Sequence, residues 1–215
     1  PRATDRDLSS AVHLVTPSPP HLATPPPARQ IIRQRRSAVD MDGVTGMSRA
    51  AFYAAMQRVL PGQMPFTVLP WKPAIHLALF VHRVDNLTPG LYFLLRDPDE
   101  QDALQTAMNP AFVWQRPDSC PATLPLYLLQ AGDFRQTAQA VSCGQEIASD
   151  GVFALGMLAE YEESLRRYGA WFYRRLHWEA GAIGQMLYLE AEAAGLRATG
   201  IGCFFDDSLH QLLGL

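Results

Sequence analysis

Residues 171–205 read WFYRRLHWEAGAIGQMLYLEAEAAGLRATGIGCFF, a long helical pattern running into a glycine-punctuated apolar stretch, and they constrain the fold more than any other part of the chain. Phe172, Leu176, Ala180, Ile183, Leu187, Ala191 and Ala194 recur at steps of three and four, the spacing of one buried helical face. Gly181 and Gly184 lie inside that helix, where each costs roughly 1 kcal/mol relative to Ala. Their presence has two explanations: tight packing of the helix on a sheet, or close approach of a flat ligand. Gly195 is placed to end the helix in a left-handed cap. Residues 198–205 then read as a short buried strand in which Gly200 and Gly202 leave peptide groups accessible from one side.

With 215 residues and 48% hydrophobic content, the chain can bury the core of one domain. A net charge of -3 excludes the basic excess expected of a nucleic-acid coat. No apolar run approaches the roughly 18 residues of a membrane span, and no signal-peptide pattern is visible. Cys120, Cys143 and Cys203 are odd in number and lack paired metal spacing, which predicts free thiols in a reducing cytoplasm. A start at Pro1 and a stop at Leu215, just after a helix-like segment, fit a piece of a longer protein.

Seven of the seventeen prolines fall in residues 1–27, so residues 1–28 are expected to form an extended arm or linker ahead of a domain over 29–215. Short helices follow at 29–36 and from Ser48, as N-cap, to about Val59. Residues 75–84 and 91–95 flank Thr88-Pro89-Gly90 and read as a hairpin, and 124–130 as a third strand. Asp97-Pro98 starts a helix reaching Ala107, residues from Asp133 to about Arg167 read as helical with a break near Gly151, and Asp206-Asp207 caps a last helix ended by Gly214. Strands segregated from several helices define an α+β class.

The chemistry-bearing candidates are few. Arg33, Arg35, Arg36 and Ser37 close a short helix, where guanidinium groups either complement the helix dipole or hold a phosphate. The chain contains neither GxGxxG nor GxxxxGK[ST], so a nucleotide-like phosphate would be held by side chains. His76 and His82 share a strand face but have no carboxylate or cysteine at ligand spacing, so no metal site is expected. His177 is either a satisfied helix histidine or a proton donor, Cys143 is helix core, and Cys203 is a small apolar residue or a reactive thiol. Glu179, Glu190 and Glu192 read as a solvated or partner-facing acidic face.

Arg35-Arg36-Ser37, the turn Pro89-Gly90-Leu91-Tyr92, and HWEAGAIGQMLYLEAEAAGLRATGIGCFFDD together resemble the nitroreductase superfamily, most of all its SagB-type dehydrogenase branch. The resemblance implies an antiparallel or mixed sheet flanked by helices in an intertwined homodimer, with FMN in each interface. It implies that Arg35, Arg36 and Ser37 contact the flavin, that Gly200 and Ile201 line its ring, and that Gly202 and Cys203 set a backbone amide beside N5. Lys72, in the loop Leu69-Pro70-Trp71-Lys72-Pro73, is the charged group left where the family's loop reaches the flavin from the partner chain. Val39 stands where many members carry a basic residue. The implied activity is hydride transfer between NAD(P)H or an organic donor and a small acceptor, a nitro compound, a quinone or an azoline-like heterocycle. The other function class consistent with these residues is a non-catalytic dimerisation or substrate-presenting domain.

Overall fold

The computed structural model describes residues 26–215, so the expectation of an extended arm or linker over residues 1–28 falls almost wholly outside the described residues. Four antiparallel strands, β1 (Ile75–Val81), β2 (Gly90–Leu94), β3 (Leu126–Ala131) and β4 (Phe153–Ala159), form one sheet in the order β3-β2-β1-β4. Helices α1 (Ala28–Gln34), α2 (Arg49–Arg58), α3 (Gln101–Ala107), α4 (Arg135–Val141), α5 (Ile147–Asp150), α6 (Tyr161–Tyr168), α7 (Tyr173–Ala193) and α8 (Asp206–Leu213) surround it. The α+β class is borne out.

Both faces of the sheet are covered, which explains why β1 and β2 are buried at every position. Ile75, Leu77, Leu79 and Val81 of β1 alternate with Ala78 and Phe80. The first set packs against α2 and α7 through Phe52, Met56, Leu176 and Ile183. The second packs against Phe112, Phe134, Ala138 and Leu213. Local chemistry set several boundaries as expected. The Ser48 hydroxyl accepts the Ala51 N–H at 3.2 Å, and Asp97 accepts the Asp99 N–H at 3.1 Å ahead of the helical turn leading to α3. Gly195, at φ +75°, closes α7 with Leu196 N–H donating to Ala191 O at 2.8 Å and Gly195 N–H to Glu192 O at 3.1 Å, a Schellman cap.

Three expectations are corrected. Residues 133–167 are not continuously helical: β4 interrupts them and pairs with β1 from Phe153↔Val81 to Ala159↔Ile75. Its sequence, FALGMLA, is built mainly of good helix formers and has no period-two pattern, so the partner strand decides its conformation. Residues 198–205 are not a buried strand. They make a single parallel bridge, Ala198 to Ser37, and pair with none of β1 to β4, and Gly200, Gly202 and Cys203 are exposed. Finally, Glu179 is not on a solvated face. It is 1% exposed and occupies the α7 stripe between Leu176 and Ile183, the place assigned to Ala180, which is half-buried. Glu190 and Glu192, near the other end of α7, are half-buried rather than solvated.

No helix among the described residues is long and apolar enough to cross a membrane.

Candidate functional site

The end of α1 and the segment after α7 are 163 residues apart at Ser37 and Gly200, yet one side chain joins them. Tyr188, from the last turns of α7, places its hydroxyl 3.1 Å from Ser37 Oγ and accepts the Gly200 N–H at 2.7 Å. The backbone adds Ala38 N–H donating to Ala198 O at 2.9 Å. The Arg35 guanidinium lies over the Tyr188 ring at 4.8 Å, a cation–π contact that holds its charge at the same edge. A phenol has one proton and two lone pairs. With the Gly200 N–H already accepted, it links to Ser37 as donor or as acceptor of the serine proton. Tyr188 was not singled out in the sequence because a single tyrosine on a helix has no motif of its own.

Arg35, Ser37 and Gly200 are thus brought together, and Ile201, Gly202 and Cys203 follow directly. Ile201 is half-buried and packs against the core cluster that contains Ala78 and Phe80. Arg36 turns back, its Nη1 donating to Arg33 O at 2.9 Å and Arg35 O at 2.8 Å, so it also caps the free carbonyls of α1. Val39 is 98% exposed. Lys72 is not brought to this cluster. Its ammonium sits 2.8 Å from Asp97 and 3.2 Å from Asp99, and those partners, Asp97 foremost, push its pKa upward. The neighbouring Trp71 Nε1 donates to Glu179, nine residues and about 13 Å of helix away from Tyr188. His177 is exposed and packs edge-on against Tyr173.

The glycines are not explained by packing within the chain. A Cβ built at Gly181 or Gly202 meets no atom within 4 Å, and at Gly184 or Gly200 it meets only ordinary contacts, Met157 Cε at 3.9 Å and the Tyr188 hydroxyl at 3.7 Å. Of the two explanations left open by the sequence, tight helix-on-sheet packing is not supported by these contacts. At Gly181 and Gly202 the space a Cβ would take is open.

The cysteines also differ from expectation. Cys143 and Cys203 form a disulfide with 5.9 Å between their Cα atoms, and Cys120 is the free cysteine among the described residues. Cys143 is therefore neither helix core nor a free thiol, and Cys203 is not a free thiol. Sixty residues separate the two, so no local spacing reveals the pairing. Gln145 Nε2 donates to Cys203 O at 3.2 Å beside the bond. His76 and His82 are buried, and burial lowers the pKa of both, His76 to about 4. The described residues contain no cluster of three His, Cys, Asp or Glu arranged to hold a metal ion.

The sequence profile of the nitroreductase family matches residues 94–215, more than half of the chain. The chain belongs to the nitroreductase family. A solved structure from Anabaena variabilis, provisionally described as a nitroreductase, superposes with a TM-score of 0.65 at 23% identity over 87% of this chain and 35% of that one. At that identity it shows a shared fold. A Methanocaldococcus jannaschii protein, also provisionally described as a nitroreductase, is 36% identical over 55 residues, 26% of this chain and 28% of that protein. This nitroreductase-family chain thus spans about a third of the length of the solved relative and matches a smaller share of the other.

Proposed function

We propose that this chain is an FMN-dependent oxidoreductase domain, with the cofactor held between the Arg35–Ser37 end of α1 and the Gly200–Cys203 segment. The observation that carries the proposal is the Tyr188 hydroxyl, which ties the two motifs together through Ser37 and Gly200. The donor set fits a phosphate-bearing planar group. Arg35 supplies fixed positive charge, the Ser37 hydroxyl a donor and acceptor, and Gly202, where no atom lies within 4 Å of a Cβ position, room for a ring to approach. When bound, the flavin supplies the hydride chemistry. The chain's own groups bind and orient it. Arg35 and Arg36 would offset anionic charge, Ile201 would offer an apolar contact, and the Gly202 and Cys203 backbone, by family resemblance, would supply an N–H donor to the ring. Lys72 belongs to this set by resemblance alone, as part of a loop brought by the partner subunit of a homodimer.

The substrates that suit such a site are NAD(P)H or an organic donor and a small acceptor, with nitro compounds and quinones on one side and SagB-type azoline oxidation on the other. A cytoplasmic location fits nicotinamide use. Purified protein incubated with FMN and desalted is expected to remain yellow. Separate mixing with NADH and NADPH then identifies the donor by bleaching of the bound flavin, and a panel of nitroaromatic, quinone and azoline compounds sorts the acceptor. Protein that retains no flavin overturns the proposal. Bound flavin that neither nicotinamide bleaches turns it towards dehydrogenation of an organic substrate.

A non-catalytic domain is the second reading. It is favoured by Arg36 and Lys72, whose charges already have partners inside the chain. It predicts a melting temperature indifferent to FMN, whereas a cofactor that binds only the folded state raises it.

A further inference from the structure

The segment from Thr199 to Phe205 contains no helix or strand; besides the packing of Ile201 on the core around Phe80 and the Leu209 N–H that opens α8 by donating to Phe205 O, four contacts fix its position. One is the Gly200 N–H to Tyr188. The other three all go to residues 141–145, the last residue of α4 and the turn that follows it: the Cys143–Cys203 bond, Gln145 Nε2 to Cys203 O, and the Phe205 N–H to Val141 O at 2.8 Å. That turn is itself bent sharply. Cys143 has φ +56°, a left-handed conformation uncommon for a residue with a Cβ, and the Gly144 N–H closes it on Gln139 O at 2.9 Å. Cys203 is exposed and Cys143 half-buried, so a thiolate from solution has access to one sulfur of the pair.

We propose that Cys143 and Cys203 are a reversible thiol–disulfide site, and that its oxidation state governs the order of the Gly200–Cys203 segment. A dithiol is the reductant. One of its thiolates attacks Cys203 Sγ, the S–S bond breaks, and Cys143 leaves as a thiolate that takes up a proton. The second thiol of the reagent then resolves the mixed disulfide, freeing Cys203 and leaving the reagent as a disulfide, for a total of two electrons delivered to the pair. With the bond cut, the 141–145 turn loses its covalent hold on the segment, and two hydrogen bonds and the packing of Ile201 remain. The Tyr188 contact stays, so loosening is local. In a reducing compartment such bonds are sensing or transient rather than structural. A consequence for cofactor affinity rests on the flavin proposal above; the loosening itself does not.

The test is hydrogen exchange of the full chain carrying Cys120→Ser, oxidised and after dithiothreitol, with thiols counted by maleimide labelling. No label is expected before reduction and two labels after it. Exchange across residues 199–205 and 141–145 is expected to rise at least about tenfold on reduction, with β1 and β2 unchanged, and to return on reoxidation. Cys143→Ser should show the raised exchange without reductant. Two thiols labelled in air-oxidised protein, equal exchange in the two states, or a rise that includes β1 and β2 would each overturn the proposal. FMN affinity should also fall by about tenfold on reduction, a loss of roughly 1.4 kcal/mol. No flavin binding in either state defeats the flavin proposal while the exchange result still decides this one.

Discussion

Glu179→Ala is predicted to be the most destabilising single truncation on α7. The Glu179 carboxylate is 1% exposed; its Oε1 pairs with Arg96, and its Oε2 accepts both Trp71 Nε1 and the Ala74 N–H at 3.2 Å. Arg96, 2% exposed, also donates to Val59 O at 2.6 Å and Ile75 O at 3.0 Å and lies over the Phe66 ring. The pair therefore fastens α7 to the end of α2, the start of β1 and the residues after β2. Truncating the carboxylate strands a guanidinium that stays charged and has little access to water, for which removal of one partner from a buried pair costs about 3–5 kcal/mol. In a domain of this size that corresponds to a fall of roughly 6–20 °C in Tm. Glu190→Ala is the control: its partner Arg58 lies 3.5 Å away with its side chain 57% exposed, and a loss below about 1 kcal/mol is expected. Urea and thermal unfolding followed by circular dichroism measure both. Pairing Glu179→Leu with Arg96→Met should recover most of the loss, because the uncompensated charge is gone. A Glu179→Ala protein within about 1 kcal/mol of wild type, or a double variant less stable than the single one, would refute this reasoning.

Acid should weaken the fold through the buried histidines. Burial, reinforced by Arg96, lowers His76 to about 4, so between that value and its ordinary 6.5 the unfolded chain binds a proton that the folded chain refuses. Stability is full above pH 6.5 and is lost as the pH falls towards 4, by about 2–4 kcal/mol for this group. His76→Asn, whose amide oxygen can still accept the Arg96 N–H, should flatten that slope in denaturant titrations, leaving the smaller part from His82. An unchanged slope would assign the acid sensitivity elsewhere. Gly181→Ala should stabilise the isolated chain by up to about 1 kcal/mol, since the added methyl meets nothing and the helix gains propensity. A destabilised Gly181→Ala protein would reveal packing on that face.

Features governed by neighbouring residues were legible in the sequence. Ser48, Asp97-Pro98, Gly195 and Gly214 act through their own backbone and the next few residues, and each lies at the boundary it predicts. The hairpin across Thr88-Pro89-Gly90 follows for the same reason. What failed depended on distant partners. The strand character of β4 comes from β1, 70-odd residues earlier. Residues 198–205 look apolar enough for a strand but pair only with Ser37, 161 residues before Ala198. Cys143 meets Cys203 only after the fold has closed. Glu179 is different, because the signal was present: it falls three residues after Leu176 and four before Ile183, on the buried stripe itself, and an acidic residue there implies a buried cation. For the candidate site, the two motifs stand out in sequence, but Tyr188, which connects them, has meaning only in three dimensions.

A fluorescence titration of FMN with the full chain, run beside Tyr188→Phe and Arg35→Ala, tests the central claim most directly. Saturable quenching at one flavin per chain is expected for the wild type. Tyr188→Phe keeps the ring beneath Arg35 and loses only the hydroxyl shared by Ser37 and Gly200, so affinity should fall about tenfold, the equivalent of one hydrogen bond or slightly more. Arg35→Ala should weaken binding at least as much. Wild-type protein that leaves FMN fluorescence unquenched, or variants that bind as tightly as wild type, would contradict a flavin site built from these two motifs.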